Sequence, residues 1–162
     1  MARRYADPSG QWTLKIPVPY TKGVWHDDLI ALSGQVDMKG DGIVQHAGDL
    51  ETQSEIALGH IRTVLADLGA GMPDLTKLVV FYKTDGGVDE DAYRARLGEM
   101  IRGEAELAVT FVPLPNLGYP GMMVEIDGYG VKAPDRAMAR RSAELEGLMP
   151  LGGPFVHGIR CG

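Results

Sequence analysis

Apolar and polar residues alternate over residues 11–16, and an apolar run at residues 29–32 continues into residues 33–35. Each stretch predicts a β-strand, and the two prolines close behind the first end it or restrict it to a sheet edge. A turn-forming cluster at residues 38–42 and a short apolar pair at residues 43–44 follow. This part of the chain therefore predicts a meander of antiparallel strands.

The clearest element is a long amphipathic helix. Asp49 is a good N-cap, and apolar residues then recur at helical spacing from Ala57 to Leu68. Gly69 supplies a C-terminal stop. A second, shorter helix is predicted over about residues 89–102.

Three further apolar stretches predict strands at residues 78–82, 107–112 and 122–126, and a rigid loop rich in Pro and Gly occupies residues 113–121. The order β-β-(β)-α-β-α-β-β is typical of an α+β protein. It predicts a single mixed β-sheet of about six strands with two helices on one face. The other face of so apolar a sheet would be exposed in a monomer, so the pattern also predicts oligomerisation.

Composition narrows the function classes. The 162 residues carry a net charge of −6, which disfavours a nucleic-acid partner. No apolar run reaches the roughly 18 residues of a membrane span, and the start lacks the apolar core of a secretory signal, so no membrane partner is expected. Cys161 is the one cysteine and cannot form an internal disulfide. We therefore expect a reducing, cytoplasmic location.

The charge is unevenly spread along the chain. Eleven Lys or Arg and nineteen Asp or Glu precede residue 131, against five and three from there on. We predict an N-terminal lead at residues 1–10, a main domain at residues 11–132 and a basic C-terminal extension at residues 133–162. The extension could begin a helix near Pro134. It is either a loosely docked tail or an arm that brings positive charge to a neighbouring subunit's cleft.

Few residue patterns point to chemistry. The four histidines share no metal-ligand spacing and no glycine-rich loop follows a strand, so neither a metal nor an organic cofactor is expected. Ser33 has no evident base partner for a triad. Strand alternation separates Glu125 and Asp127 from Val124 and Ile126, which lie on the other face. These carboxylates are either solvated or, if a subunit covers that face, partly buried. Glu125 could then be a general base with a raised pKa.

Several short motifs stand in a characteristic order over about residues 11–130. They are Pro19-Tyr20, Ser33-Gly34-Gln35, residues 49–68 with Gln53, Gly69, residues 75–82, Tyr93, Leu114-Pro115 and Val124-Glu125-Ile126-Asp127. In this order and spacing the chain resembles the Rid family, the YjgF-type enamine/imine deaminases, which are also described as endoribonuclease L-PSP-like.

The resemblance implies the chorismate-mutase-like, YjgF-like α+β fold, a homotrimer with clefts between subunits, and a small-molecule substrate. It implies hydrolysis of an imine to a ketone and ammonia without a metal or organic cofactor. Glu125 would orient or activate the attacking water. Tyr20 and Ser33 would hold the leaving nitrogen, and Gly34 would line the cleft through its backbone. The backbone amide of Ala108 would help to hold the substrate.

One position departs from the family pattern. The deaminases carry an arginine that clamps the substrate carboxylate, and an ungapped count places Glu106 there. A carboxylate would repel a carboxylate substrate and could favour a cationic or neutral amine, so the chain is interpreted as a divergent member.

The leading hypothesis for the function is an imine hydrolase of altered specificity. The alternative is a non-catalytic trimer that binds a metabolite. Ribonuclease activity is the third hypothesis, and the acidic charge argues against it.

Overall fold

The computed structural model describes residues 3–132, 140–143, 146–147 and 154–161. The helices of this part are α1 (Leu50–Leu68) and α2 (Glu90–Met100), with single 3-10 turns at Gly40–Gly42 and Met72–Asp74. The strands are β1 (Arg4–Ala6), β2 (Gly23–His26), β3 (Leu29–Gln35), β4 (Met38–Lys39), β5 (Ile43–Val44), β6 (Leu75–Lys83), β7 (Ala108–Leu114), β8 (Val124–Val131), β9 (Arg140–Ala143) and β10 (Gly158–Cys161).

The main sheet has six strands in the order β1-β2-β3-β8-β6-β7. Strands β6 and β7 run parallel and their connection contains α2, whereas the other neighbours are antiparallel. Both helices pack into one core with the same face of this sheet. The predicted fold class, a mixed sheet of about six strands with two helices on one face, is confirmed. β1 falls within the predicted N-terminal lead and forms one edge of the sheet.

Helix α1 begins and ends where the sequence predicts. The Asp49 side chain accepts a hydrogen bond from the backbone N–H of Thr52 at 3.0 Å, and Gly69 ends the helix in the left-handed conformation. The apolar side of the helix, from Ala57 to Leu68, is buried against the sheet. This burial fixes which sheet face lies inside the molecule, and it leaves the face that carries Glu125 open.

The strand predicted at residues 11–16 is wrong, because these residues are irregular in the structure. Trp12 is instead buried in a small separate apolar cluster with Val36, Met38 and Met122. Its indole Nε1 donates a hydrogen bond to the Gln35 side chain at 3.3 Å. The apolar residues of this segment therefore pack as a plug at one end of β3 rather than pairing along a sheet edge.

Part of the C-terminal extension is docked on the main domain. β9 and β10 form an antiparallel hairpin, and Phe155 is buried in the main core. The Leu107 amide donates to the carbonyl of Pro154, and the Val156 amide donates to that of Leu107. A loosely docked tail is therefore wrong for residues 154–161. The helix predicted to begin near Pro134 is wrong at residues 140–143, where the structure has strand β9, and residues 133–139 lie outside the described residues.

Candidate active site

A cavity of about 380 Å³ opens beside the point where β3 and β8 separate. It is lined by Trp12, Leu14, Tyr20, Ser33, Gly34, Val36, Met38, Gly118, Tyr119, Met122 and Glu125. Four predicted site residues are therefore brought together here: Tyr20, Ser33, Gly34 and Glu125. They come from an irregular segment, from β3 and from β8, so long-range strand pairing builds the site.

An extra residue in β3 shapes this corner of the cavity. Leu32 pairs with Gly128 and Gln35 pairs with Ile126, so two residues of β3 oppose the one residue between on β8. This is a β-bulge, which bends a strand and redirects its side chains. The two residues concerned are Ser33 and Gly34, and the bulge presents both to the cavity.

Gly34 leaves the space that the Glu125 side chain occupies. A Cβ atom at residue 34 would lie 2.0 Å from Glu125 Oε1, far inside contact distance. Glu125 therefore extends across the bare backbone of Gly34. The resemblance predicted that Gly34 lines the cleft through its backbone, and the geometry adds that a larger residue would displace the carboxylate.

Glu125 lies in an environment that disfavours its charged form. Burial, and second the nearby Asp127 carboxylate, raise the pKa of Glu125 above its ordinary value of 4.5. Burial likewise raises the pKa of Asp127 above 3.8. The sequence left open whether these carboxylates are solvated. Both are half-buried within one chain, and Glu125 combines burial with an opening to a cavity.

The Gln35 side chain links two parts of the cavity wall, Ser33 and Trp12, by hydrogen bonds. It is fully buried, and its amide Nε2 donates to the Ser33 carbonyl at 2.7 Å, while its Oε1 accepts from Trp12 Nε1. The Ser33 amide in turn donates to the Lys22 carbonyl at 3.0 Å. These bonds fix Ser33 and the Trp12 ring relative to each other.

Gln53 of α1 holds the loop that closes the other side. Its Nε2 donates to the carbonyls of His46 at 2.7 Å and Gly121 at 2.9 Å, and its Oε1 accepts from the Met123 amide at 2.7 Å. Gly118, Tyr119 and Met122 project from this loop into the cavity. A fully buried amide that satisfies three backbone groups makes the loop a fixed wall.

Glu106 and Ala108 do not line this cavity within one chain. Ala108 begins β7 at the far edge of the sheet. Glu106 lies in a second, larger depression of about 750 Å³ between the loop after α2 and the C-terminal hairpin. There its carboxylate accepts a hydrogen bond from the Ser142 hydroxyl. Their substrate-binding roles stay predictions.

The larger depression is a weaker candidate for chemistry. Its charged side chains already have partners: Glu104 forms a two-pronged pair with Arg62, Arg102 pairs with Glu99, and Glu106 accepts from Ser142. The smaller cavity has the opposite character, with one carboxylate among apolar groups. That contrast is typical of a reactive site.

Sequence reasoning missed most of the apolar lining. Trp12 and Leu14 were assigned to a strand, and Val36 and Met38 were not singled out. The signal that could have found Tyr119 is the rigid Pro- and Gly-rich loop predicted at residues 113–121, which contains it. The structure places Gly118 and Tyr119 of that loop in the cavity.

Comparison with known proteins identifies the group to which this fold and cavity belong. A family model described as Endoribonuclease L-PSP matches residues 13–132. A member of the YjgF/YER057c/UK114 family from Mycobacterium tuberculosis has 19% identity and a TM-score of 0.60 over 81% of this chain and 100% of that one. A Rid-family protein from Yersinia pestis has 20% identity and a TM-score of 0.63 over the same shares. Escherichia coli TdcF with bound serine has 17% identity and a TM-score of 0.62, over 80% and 99%.

The class defined by these observations is a YjgF-type α+β domain with a cavity at the β3–β8 corner. The chain belongs to the endoribonuclease L-PSP family, the YjgF/Rid family. The hairpin β9–β10 lies beyond the matched residues.

In the part of the chain that the structure describes, no cluster of three or more His, Cys, Asp or Glu side chains could hold a metal ion. No helix there is long and apolar enough to cross a membrane.

Proposed function

We propose that this protein is a hydrolase that converts an imine or enamine and water to a carbonyl compound and ammonia. The observation that carries the proposal is the half-buried Glu125 carboxylate, which opens to a cavity between Ser33, Gly34 and Tyr20. Burial raises the pKa of the Glu125 carboxylate, and this makes it a better proton acceptor than an exposed carboxylate. Family membership supports the same reaction class.

The proposed reaction needs orientation more than activation, because an imine carbon is already electrophilic. Glu125 accepts a proton from water as the water oxygen bonds to the carbon of the protonated C=N group, which gives a neutral carbinolamine. That proton then passes to the nitrogen and the C–N bond breaks to release ammonia. Glu125 takes the hydroxyl proton as the C=O bond forms and passes it on to the departing ammonia. Tyr20 and Ser33 are the hydroxyl groups proposed to hold the leaving nitrogen.

We further propose that the working form is a homotrimer with clefts between subunits. The support is the open face of the main sheet, where Val79, Phe81 and Val112 are only partly covered within one chain. In such an assembly, Glu106 and Ala108 would come from the neighbouring subunit to complete the cleft. Residues 11–132 would form the trimer, and the hairpin β9–β10 would lie beside the cleft, because Ser142 donates a hydrogen bond to Glu106.

Two other functions remain distinct alternatives. A non-catalytic metabolite-binding trimer would use the same cavity without turnover. A ribonuclease would need to attract phosphate, whereas the charged residue among those seen to line the cavity is a carboxylate. The geometry therefore favours the imine hydrolase over the ribonuclease.

The test measures ammonia release from imines generated in the assay, with two variants of the cavity. Glu125→Gln keeps the side-chain shape but removes the base, and we expect a loss of about 100-fold or more. Gly34→Ala leaves Glu125 intact but forces its carboxylate away, and we expect a loss of about 10- to 100-fold. The φ angle of Gly34 lies outside the left-handed region, so the backbone itself accepts alanine.

The matched control is Glu55→Gln, which removes a carboxylate from the exposed side of α1 and should leave the rate unchanged. Thermal melting of each variant separates lost chemistry from lost folding. If the wild type and Glu125→Gln release ammonia equally slowly from every imine tested, the hydrolase proposal is wrong.

A further inference from the structure

The residues that line the cavity indicate which class of substrate it accepts. This inference rests on the proposed function, which makes an imine the group that reacts. Six of the lining residues are apolar or aromatic: Trp12, Leu14, Val36, Met38, Tyr119 and Met122. A volume of about 380 Å³ lies within the range of pockets that bind ring-sized ligands. The cavity therefore has the size and the apolar walls to accept a bulky substituent.

The shape of this lining is partly adaptable. Met38 and Met122 are unbranched and polarisable, so they adjust to a flat ring or to an alkyl chain. Trp12 and Tyr119 are rigid and offer ring faces. Because Gln35 fixes the Trp12 ring and Gln53 fixes the loop of Tyr119, the aromatic walls are preorganised rather than formed by the ligand.

The charge of the cavity selects against an anionic ligand. Among the residues seen to line it, Glu125 carries the charge, and Asp127 lies close enough to raise its pKa. Lys22 approaches the lining, since its Nζ lies 5.0 Å from the centroid of the Trp12 ring, but it is paired with the Asp7 carboxylate. No lysine or arginine is among the residues seen to line the cavity, so a substrate carboxylate here would add a further anion beside Glu125.

A protonated amine or iminium nitrogen is positively charged, so the cavity attracts it where it would repel a carboxylate. It can approach the Glu125 carboxylate directly, and aromatic rings of the kind that Tyr20 and Tyr119 contribute to the lining attract cations. We propose that the cavity binds amine-derived imines with a bulky apolar or aromatic substituent and no carboxylate, in place of imines derived from amino acids.

A matched pair of substrates tests this class. Amine oxidase acting on 2-phenylethylamine and amino-acid oxidase acting on L-phenylalanine give imines with the same benzyl group, of which only the second carries a carboxylate. Ammonia release is corrected for the uncatalysed rate. We expect kcat/KM to be at least tenfold higher for the amine-derived imine. An imine formed from ethylamine, which lacks the ring, should also be at least tenfold poorer.

Binding measurements separate this inference from the hydrolase proposal. Isothermal titration compares 2-phenylethylamine, 3-phenylpropionate and ethylamine with the wild type, and we expect the first to bind at least tenfold more tightly than the others. Glu125→Gln should erase most of the preference for the amine over the carboxylate and retain the preference for the ring. Leu14→Ser should erase most of the preference for the ring and retain the preference for the amine over the carboxylate. Glu55→Gln should change neither preference.

Each outcome decides one of the two proposals. Faster turnover of the phenylalanine-derived imine overturns the substrate class and leaves the hydrolase proposal standing. Tight, Glu125-dependent binding of 2-phenylethylamine without turnover of any imine upholds the ligand class and overturns hydrolysis. Equal affinity for 2-phenylethylamine and 3-phenylpropionate in the wild type shows that the cavity does not select by charge.

Discussion

Two residues on one face of β8 set the electrostatics of the candidate site. Glu125 and Asp127 are two positions apart, so both project from the open face of the sheet, opposite Phe81 and Val79 respectively. Each carboxylate is half-buried and each has a raised pKa. The folded chain therefore binds these protons more readily than the unfolded chain does. Their contribution to stability is largest at low pH and declines as pH rises through the two pKa values.

The predicted effect of Asp127 on Glu125 can be measured without a substrate. Asp127→Asn removes the negative charge that helps to raise the pKa of Glu125, so that pKa should fall. The measurement is an NMR titration of the Glu125 carboxyl carbon. We expect the midpoint to move to lower pH and to remain above 4.5, since burial persists. An unchanged or higher midpoint would contradict the prediction. Asp67→Asn, on the exposed side of α1, is the control and should leave the midpoint in place.

At the scale of elements, the C-terminal segment is an integral part of the fold. Phe155 packs edge-to-face on Phe111 of β7, with ring centroids 6.2 Å apart. Gly98 of α2 makes room for this contact, since a Cβ there would lie 3.1 Å from Pro154 and 3.6 Å from the Phe155 ring. The segment also pairs with Leu107 just before β7. Residues 154–156 therefore cover the start of a sheet edge that would otherwise be open.

Truncation of this anchor should loosen the segment and weaken the whole fold. Phe155 is 4% exposed, and replacing a buried phenylalanine with alanine removes about 3 kcal/mol or more of stability. We expect Phe155→Ala to lower the free energy of unfolding by about that amount in chemical denaturation. Amide exchange of Val156 and Leu107 should also become faster, because the bonds from the Leu107 amide to Pro154 and from the Val156 amide to Leu107 lose the anchor.

The control for that change is Arg160→Ala, at an exposed position of the same hairpin. It should alter stability by less than about 0.5 kcal/mol. A Phe155→Ala protein with wild-type stability and wild-type exchange at Val156 would show that the segment does not hold to the core in solution.

The elements that the sequence predicted correctly are those defined by local signals. Helix α1 carries its own cap at Asp49, its own stop at Gly69 and a continuous apolar stripe, so a short window contains all the information. The bulge at Ser33 and Gly34 is different, because it exists only through pairing with β8, some ninety residues later. Trp12 alternates with polar residues as a strand residue would, yet its ring packs against Met122 from a distant loop.

The candidate site divides in the same way. Glu125, Tyr20, Ser33 and Gly34 could be named from short motifs, and the structure brings these four to one cavity. The apolar wall could not be named, since Leu14, Val36 and Tyr119 look like ordinary core or loop residues in sequence. What makes them a binding surface is that the fold leaves a void between them.

On the scale of the whole molecule, the two faces of the main sheet differ strongly in how far they are covered. The inner face is covered by α1 and α2, whereas the outer face presents Val79, Phe81 and Val112 half-covered and Tyr129 44% exposed. Several apolar residues left partly uncovered on one face of a small domain often mark an interface. The same face carries Glu125, so covering it would further bury the carboxylate and raise its pKa.

The last prediction therefore concerns assembly. Light scattering with size-exclusion chromatography should give a mass three times that of the 17.5 kDa chain. Val79→Glu places a charge at the centre of the outer face, opposite Asp127 and Thr110, and should dissociate the assembly into folded monomers because a buried, unpaired carboxylate opposes association. Thr63→Glu, on the exposed side of α1, adds the same charge and should leave the trimer intact. A wild type that runs as a monomer, or a Val79→Glu trimer, would show that this face is not the interface.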